Sequence, residues 1–146
     1  MNSISEPIIV EQIFKVSIHR VWKAITELEE MQQWYFSNIP AFEAKVGFET
    51  QFIVETEERT FPHHWKLTEV VPMQCLSYEW QFEGYSGRGV STFELFEQDH
   101  HCKLKLTFTT LEAFPDDISE FKRESGIAGW EYLIKESLRE YLEKDS

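Results

Sequence analysis

Hydrophobic and polar residues follow two different periods along this chain, and the period changes twice. An apolar run rich in β-branched residues predicts a first strand over residues 8–16. Ser17 is a suitable N-cap, and the apolar residues after it recur at helical spacing. That spacing predicts a short amphipathic helix that breaks near Thr26, followed by a second turn or two over residues 31–34.

After Pro40 the apolar residues alternate with polar ones, which is the period of half-buried strands. The alternation predicts five further strands, which include residues 48–54, 65–67, 76–82, 93–95 and 104–108. Turns are expected at residues 84–89 and 98–101. Because the connections between successive strands are short, we expect an antiparallel meander.

The helical period returns near the C-terminal end. Pro115, Asp116 and Asp117 suit a helix start, and an apolar stripe follows, with charged residues opposite it. The stripe consists of Ile127, Trp130, Ile134, Leu138 and Tyr141. We therefore expect one α+β domain over residues 1–146, in which a curved antiparallel sheet of six or seven strands wraps around a long C-terminal helix, with two short helices after the first strand. One helix cannot cover such a sheet completely, so a cavity between them is geometrically natural.

Charge and cysteine content narrow the class of protein. The chain has 14 Lys and Arg against 26 Asp and Glu, a net charge of −12, which argues against nucleic acid as a partner because phosphate binding needs basic side chains. The first seven residues show no secretory signal, and no apolar run approaches the roughly 18 residues of a membrane span. We expect a cytoplasmic protein in which Cys75 and Cys102 are buried thiols rather than a disulfide.

Short motifs spread over nearly the whole chain resemble one family in their order and spacing. They are VWKAIT at 21–26 with Trp34, GF at 47–48, EVVP at 69–72, LSYEW at 76–80, TFEL at 92–95, residues 104–110, and GW at 129–130 with Leu133. Together they resemble proteins similar to the activator of the ATPase of the ninety-kilodalton heat-shock protein. The resemblance implies a helix-grip fold, shared with START lipid-transfer domains, birch-pollen-type allergens and aromatic polyketide cyclases, in which seven strands grip the C-terminal helix. It also implies a link to the stress response, but the fold hosts carriers, cyclases and co-chaperones and does not select among them.

Candidate catalytic and metal-binding motifs are weak. Residues 84–89, GYSGRG, begin like the nucleophile turn of hydrolases, but the fifth position is arginine and the segment joins two strands. His63 and His64 are neighbours in a strand, so they point to opposite faces and cannot share one ion. His100 and His101 lie in a turn with no second cluster at zinc spacing. We expect no catalytic residue in these motifs, no metal and no cofactor.

The remaining signal is a set of large apolar residues on the predicted inner face, in a chain that is 15% aromatic. The set consists of Phe52, Trp65, Tyr78, Trp80, Phe93, Phe108, Trp130 and Ile134. Such residues either fill a core or line a cavity, and the polar atoms of Tyr and Trp can orient a small ligand. We predict that these residues bind or carry a small aromatic or lipid-like molecule. Two alternatives stay open: a co-chaperone-like domain that binds a chaperone or other protein, and a cyclase- or hydrolase-type enzyme that uses the same cavity.

Overall fold

The computed structural model describes residues 6–144 and contains six strands and two short helices before a longer C-terminal helix. In chain order the first elements are β1 Ile8–Phe14, α1 Ile18–Thr26, α2 Leu28–Trp34, β2 Glu49–Glu55, β3 Thr60–Val71, β4 Cys75–Phe82, β5 Arg88–Gln98 and β6 His101–Glu112. A 3₁₀ turn, Ser119–Phe121, precedes the C-terminal helix (residues 123–143), which consists of α3 Arg123–Glu131, a π-helical segment Tyr132–Leu138 and α4 Arg139–Glu143. The predicted absence of a secretory signal concerns the first seven residues, and five of these, residues 1–5, lie outside the described residues.

The sheet order is β1-β6-β5-β4-β3-β2, and every neighbouring pair is antiparallel. Strands β2 to β6 form the predicted meander, and β1 adds to β6 at the opposite edge. The α+β class, the six antiparallel strands, the two short helices after β1 and the long C-terminal helix are therefore confirmed.

The first helix begins and ends for identifiable local reasons. Ser17 Oγ accepts a hydrogen bond from the backbone N–H of Arg20 (3.2 Å), which confirms the predicted N-cap. The helix ends at Thr26 because Glu27 has an extended backbone. Strand β1 ends at Phe14, two residues before the predicted end, and the backbone N–H of Lys15 donates to a carboxylate oxygen of Glu143 (3.2 Å) instead of to a neighbouring strand.

The predicted start of the C-terminal helix at Pro115 is wrong. Asp116 and Asp117 form a turn, and the helix begins at Arg123. Phe114 and Phe121 are both buried, and their rings stack with centroids 5.1 Å apart. A continuous helix would separate residues seven positions apart by about 10.5 Å along its axis, so the chain has to fold back between these rings.

The buried face of the C-terminal helix repeats every fourth residue, through Trp130, Ile134, Leu138 and Leu142. In a regular α-helix each step of four residues turns this face by about 40°. The wider π-helical segment reduces that rotation and keeps these side chains toward the sheet. Ile127, which the predicted stripe included, is only half-buried.

Both cysteines are free thiols, but their burial differs. Cys102 is buried as predicted, whereas Cys75 is only half-buried, and its thiol donates to a carboxylate oxygen of Glu69 on the neighbouring strand (3.2 Å). Burial raises the pKa of each thiol to about 11, so both are protonated near neutral pH. Within residues 6–144, no helix is long and apolar enough to cross a membrane.

Candidate functional site

Tyr35 fills the middle of the space between the helix and the sheet. It directly follows α2, and its ring centroid lies 5.2 Å from that of Trp65 and 6.3 Å from that of Trp130. Its hydroxyl oxygen is 2.9 Å from the hydroxyl oxygen of Tyr78, and burial raises the pKa of both phenols. The protein itself therefore occupies the centre of the predicted binding face.

All eight sequence-predicted site residues are buried, but the structure divides them into two groups. Trp65, Tyr78, Phe93 and Ile134 pack in the core, and Phe52 is buried beside a separate depression near Asn38 and Pro40. The residues that meet at a cavity are Trp80, Phe108 and Trp130.

This cavity has a volume of about 230 Å³ and lies between the N-terminal part of the C-terminal helix and the sheet. Its large apolar wall residues are Phe36, Phe61, Trp80, Phe82, Phe108, Phe121, Trp130 and Leu133. A cavity of about 150 Å³ can hold benzene, so this volume suits a ligand of roughly ten non-hydrogen atoms. We refer to it below as the helix–sheet cavity.

Two glycines lie in the helical wall of the helix–sheet cavity, beside Trp130 and Leu133. Gly126 and Gly129 are three residues apart in α3, so they lie on one face of the helix. A Cβ atom placed on Gly129 would have no neighbouring atom within 4 Å. Each glycine inside a helix costs about 1 kcal/mol relative to alanine, so the helix is less stable at the positions that keep this space open.

His63 is the histidine of the cavity wall. Its neighbour His64 points to the other face of β3 and bonds Glu49 (2.7 Å), which confirms the predicted opposite orientations. His63 Nδ1 is 2.9 Å from the carbonyl oxygen of Phe61, and because a carbonyl only accepts, Nδ1–H donates. Burial lowers the pKa of His63 to about 4, so near pH 7 the ring is neutral and Nε2 carries a lone pair.

The mouth of the cavity is polar and is held by an ion pair. Arg59 Nη1 lies 2.6 Å from Glu120 Oε1, and Thr56 Oγ1 donates to Glu120 Oε2 (2.9 Å). These bonds connect the β2–β3 turn to the 3₁₀ turn before the C-terminal helix. Desolvation opposes ionisation of Glu120, but the hydrogen bond from Thr56 and the charge of Arg59 help to outweigh it and lower the pKa of this carboxyl. Glu57 and Glu58 line an adjoining depression, so the surroundings of the mouth are acidic.

The hydroxyl groups near the cavity are engaged in structural hydrogen bonds. Ser125 Oγ donates to the backbone carbonyl of Ser119 (2.9 Å). Ser86, in the turn between β4 and β5, is exposed and outside the cavity. Over residues 6–144, no three His, Cys, Asp or Glu side chains are grouped so that they could hold a metal ion. The arrangement offers an apolar binding surface with one neutral imidazole in its wall.

The sequence profile of the Activator of Hsp90 ATPase homolog 1-like proteins matches residues 15–143. The chain belongs to this family. The matched span includes every residue that lines the helix–sheet cavity. No similar sequence was found among the curated proteins.

Solved structures with the same fold share little sequence with this family member. Mll3558 from Rhizobium loti has a TM-score of 0.79 and 17% identity over 93% of this chain and 96% of that one. The Aha1 dimer from Colwellia psychrerythraea has a TM-score of 0.70 and 17% identity over 95% of this chain and 97% of that one. DynU16, of the dynemicin biosynthetic locus, has a TM-score of 0.76 and 20% identity over 97% of this chain but 49% of that one. At these identities the likeness shows the fold alone, and with the family match it confirms the helix-grip superfamily.

Sequence reasoning missed much of the cavity wall. The missed residues with large side chains are Phe36, Phe61, His63, Phe82, Phe121 and Leu133. Phe61, His63 and Phe82 could have been predicted from the alternation in β3 and β4. Because Trp65 and Trp80 face inward, every second residue from them toward the strand ends faces inward as well. Phe36 and Phe121 lie outside the regular strands and α-helices, where no periodicity marks the inner face.

Proposed function

We propose that this chain is a single domain that binds a small, flat, apolar molecule in the helix–sheet cavity. The observation that carries the proposal is the cavity itself, an apolar volume of about 230 Å³ between a glycine face of the helix and aromatic rings of the sheet. Family membership supports this proposal, because the fold suits a ligand-binding domain.

The size and the charge of the site narrow the ligand class. Roughly ten non-hydrogen atoms correspond to one substituted ring or two fused rings, so most of a long acyl chain would extend beyond the mouth. Aromatic walls favour an aromatic ligand, since rings gain from edge-to-face and offset contacts beyond the burial of their area. The carboxylates of Glu57, Glu58 and Glu120 outnumber the one guanidinium of Arg59 that pairs with two of them, and this excess of negative charge at the mouth disfavours an anionic ligand.

The expected affinity is modest. Each Å² of apolar ligand surface that is removed from water contributes about 25 cal/mol, and a ligand of this size has only a few hundred Å² to bury. Association costs several kcal/mol in lost motion, so we expect dissociation constants in the micromolar range or weaker.

Replacing Gly129 by a larger residue tests the proposal directly. Naphthalene and indole would be titrated into isotope-labelled protein while NMR signals of Trp80 and Trp130 are followed. Gly129→Leu places a side chain where the backbone leaves open space, so we expect it to abolish binding without unfolding the protein. Ala128→Leu is the matched control, because Ala128 is an exposed neighbour on the same helix. Equal binding by Gly129→Leu and the wild type would show that the probes do not occupy this cavity.

A protein-binding role is the second candidate, and its support is the family itself. If the domain acts as a co-chaperone, adding the chaperone should shift NMR signals of exposed residues on one face. Small aromatic probes should then leave the signals of Trp80 and Trp130 unchanged. The same labelled sample therefore distinguishes the two candidates.

A further inference from the structure

Two nitrogen atoms of cavity-wall residues lack hydrogen-bond partners within residues 6–144. They are Nε2 of His63, which is an acceptor in the neutral ring, and Nε1 of Trp130, which is a donor. Trp80 differs, because its Nε1 donates to Ser91 Oγ (2.9 Å). Neither nitrogen is sealed from solvent, so a ligand that enters the cavity replaces water there and gains when it offers a matching hydrogen-bonding group.

The His63 ring cannot turn away to satisfy Nε2 elsewhere. Its centroid is 5.1 Å from the stacked ring of Phe52, 5.5 Å from that of Phe36 and 4.7 Å from that of Phe82, which it meets edge-on. The bond from Nδ1 to the carbonyl of Phe61 fixes the ring from within its own strand. The side chain is therefore held in place before any ligand arrives, with only Nε2 left for a new hydrogen bond.

We propose that His63 Nε2 accepts a hydrogen bond from the ligand, so that the cavity selects neutral aromatic molecules with an N–H or O–H group on the ring. This inference rests on the proposed function and specifies the ligand class of the same cavity. A charged ligand is disfavoured because an apolar wall does not replace its hydration. The lone pair is available near neutral pH, because burial keeps the pKa of His63 at about 4.

Two probes of nearly equal size and shape isolate this hydrogen bond. 2-Quinolinone has an N–H where coumarin has a ring oxygen, and both have the same carbonyl group beside it. A hydrogen bond from Trp130 to that carbonyl would also favour 2-quinolinone, because an amide carbonyl is a stronger acceptor than a lactone carbonyl, so the part that His63 contributes is read from the change in preference when His63 is replaced. Calorimetric titration of the wild type should give roughly 3- to 10-fold tighter binding of 2-quinolinone.

His63→Phe keeps an aromatic ring in the wall and removes the acceptor, so the preference for 2-quinolinone should fall while coumarin still binds. A second measurement needs no substitution: in wild-type protein with ¹⁵N-labelled histidine, 2-quinolinone should shift the Nε2 resonance of His63 and coumarin should not. Equal affinities of the wild type for both probes, or a preference that is as large in His63→Phe as in the wild type, would overturn the inference while leaving a binding cavity. If neither probe binds, and Gly129→Leu does not weaken the binding of naphthalene and indole, the proposed function fails as well.

Discussion

Replacing Tyr35 and Tyr78 by Phe, singly and together, tests how the centre of the core is held. Their hydroxyl oxygens are 2.9 Å apart and buried, so each phenol relies on the other as a hydrogen-bond partner. Either single substitution keeps the ring and leaves the remaining hydroxyl without this partner. The double substitution removes both polar groups and leaves an aromatic core of nearly unchanged shape.

The expected changes in the free energy of unfolding depend on whether one or both hydrogen-bonding partners are removed. A buried polar group that loses its partner destabilises the folded state by about 1–3 kcal/mol, whereas removing both partners is close to neutral. The side chain of Ser91 also interacts with the hydroxyl of Tyr78, while Tyr35 has no other hydroxyl partner among the described residues. We therefore expect Tyr78→Phe, which isolates the Tyr35 hydroxyl, to destabilise more than Tyr35→Phe.

Urea denaturation of the four proteins measures these free energies of unfolding, provided that the m-values stay equal. The double variant should be less destabilised than the sum of the two single variants, with a coupling of about 1–2 kcal/mol. Effects that add to within about 0.5 kcal/mol would refute the reasoning, because the hydroxyl groups would then not stabilise each other.

Two further predictions concern stability. Ile134→Ala should lower the free energy of unfolding by about 2–5 kcal/mol, because this side chain is fully buried between helix and sheet; a loss below about 0.5 kcal/mol in urea titrations would contradict this packing. Burial lowers the pKa of His63 from 6.5 to about 4, so between these values the unfolded state binds the extra proton and stability falls as the pH falls. The loss should be on the order of 3 kcal/mol across that interval. Parallel urea titrations of wild type and His63→Phe check it, and an unchanged pH slope in the variant would show that His63 is not responsible.

Periodicity predicted the elements of this fold well where one side of an element is continuously buried. In β4 every second residue from Leu76 to Phe82 is buried, and the alternation in the sequence follows this pattern directly. The segment before the C-terminal helix was predicted wrongly because its conformation depends on a contact between residues distant from the local helix-start signal. Asp116 and Asp117 suit a helix start, but burial of Phe114 against Phe121 requires the chain to reverse there, and that contact is tertiary.

The location of the cavity was less predictable than the residues that face inward. Alternation identifies an inner face, but it does not say which part of that face another side chain covers. Tyr35 covers the region of Trp65 and Tyr78, and it lies just beyond a short helix where no strand or helix pattern continues. The space that remains is therefore displaced toward the ends of β3 and β4, where Phe61 and Phe82 line it.

The C-terminal helix has two halves with opposite roles in this arrangement. The C-terminal half is fixed, because Ser137 donates to the backbone carbonyl of Trp34 (2.6 Å) and Tyr141 donates to the buried carboxylate of Glu30 (3.0 Å). The N-terminal half lines the cavity with Gly126 and Gly129, and a larger residue at Gly129 would strengthen the helix and occupy the open space beside it. Stability and ligand volume therefore oppose each other at Gly129, as is common where a binding site is built into a folded core. We propose that this cavity is kept for a ligand; a packing defect could instead be filled by a stabilising side chain without loss of function.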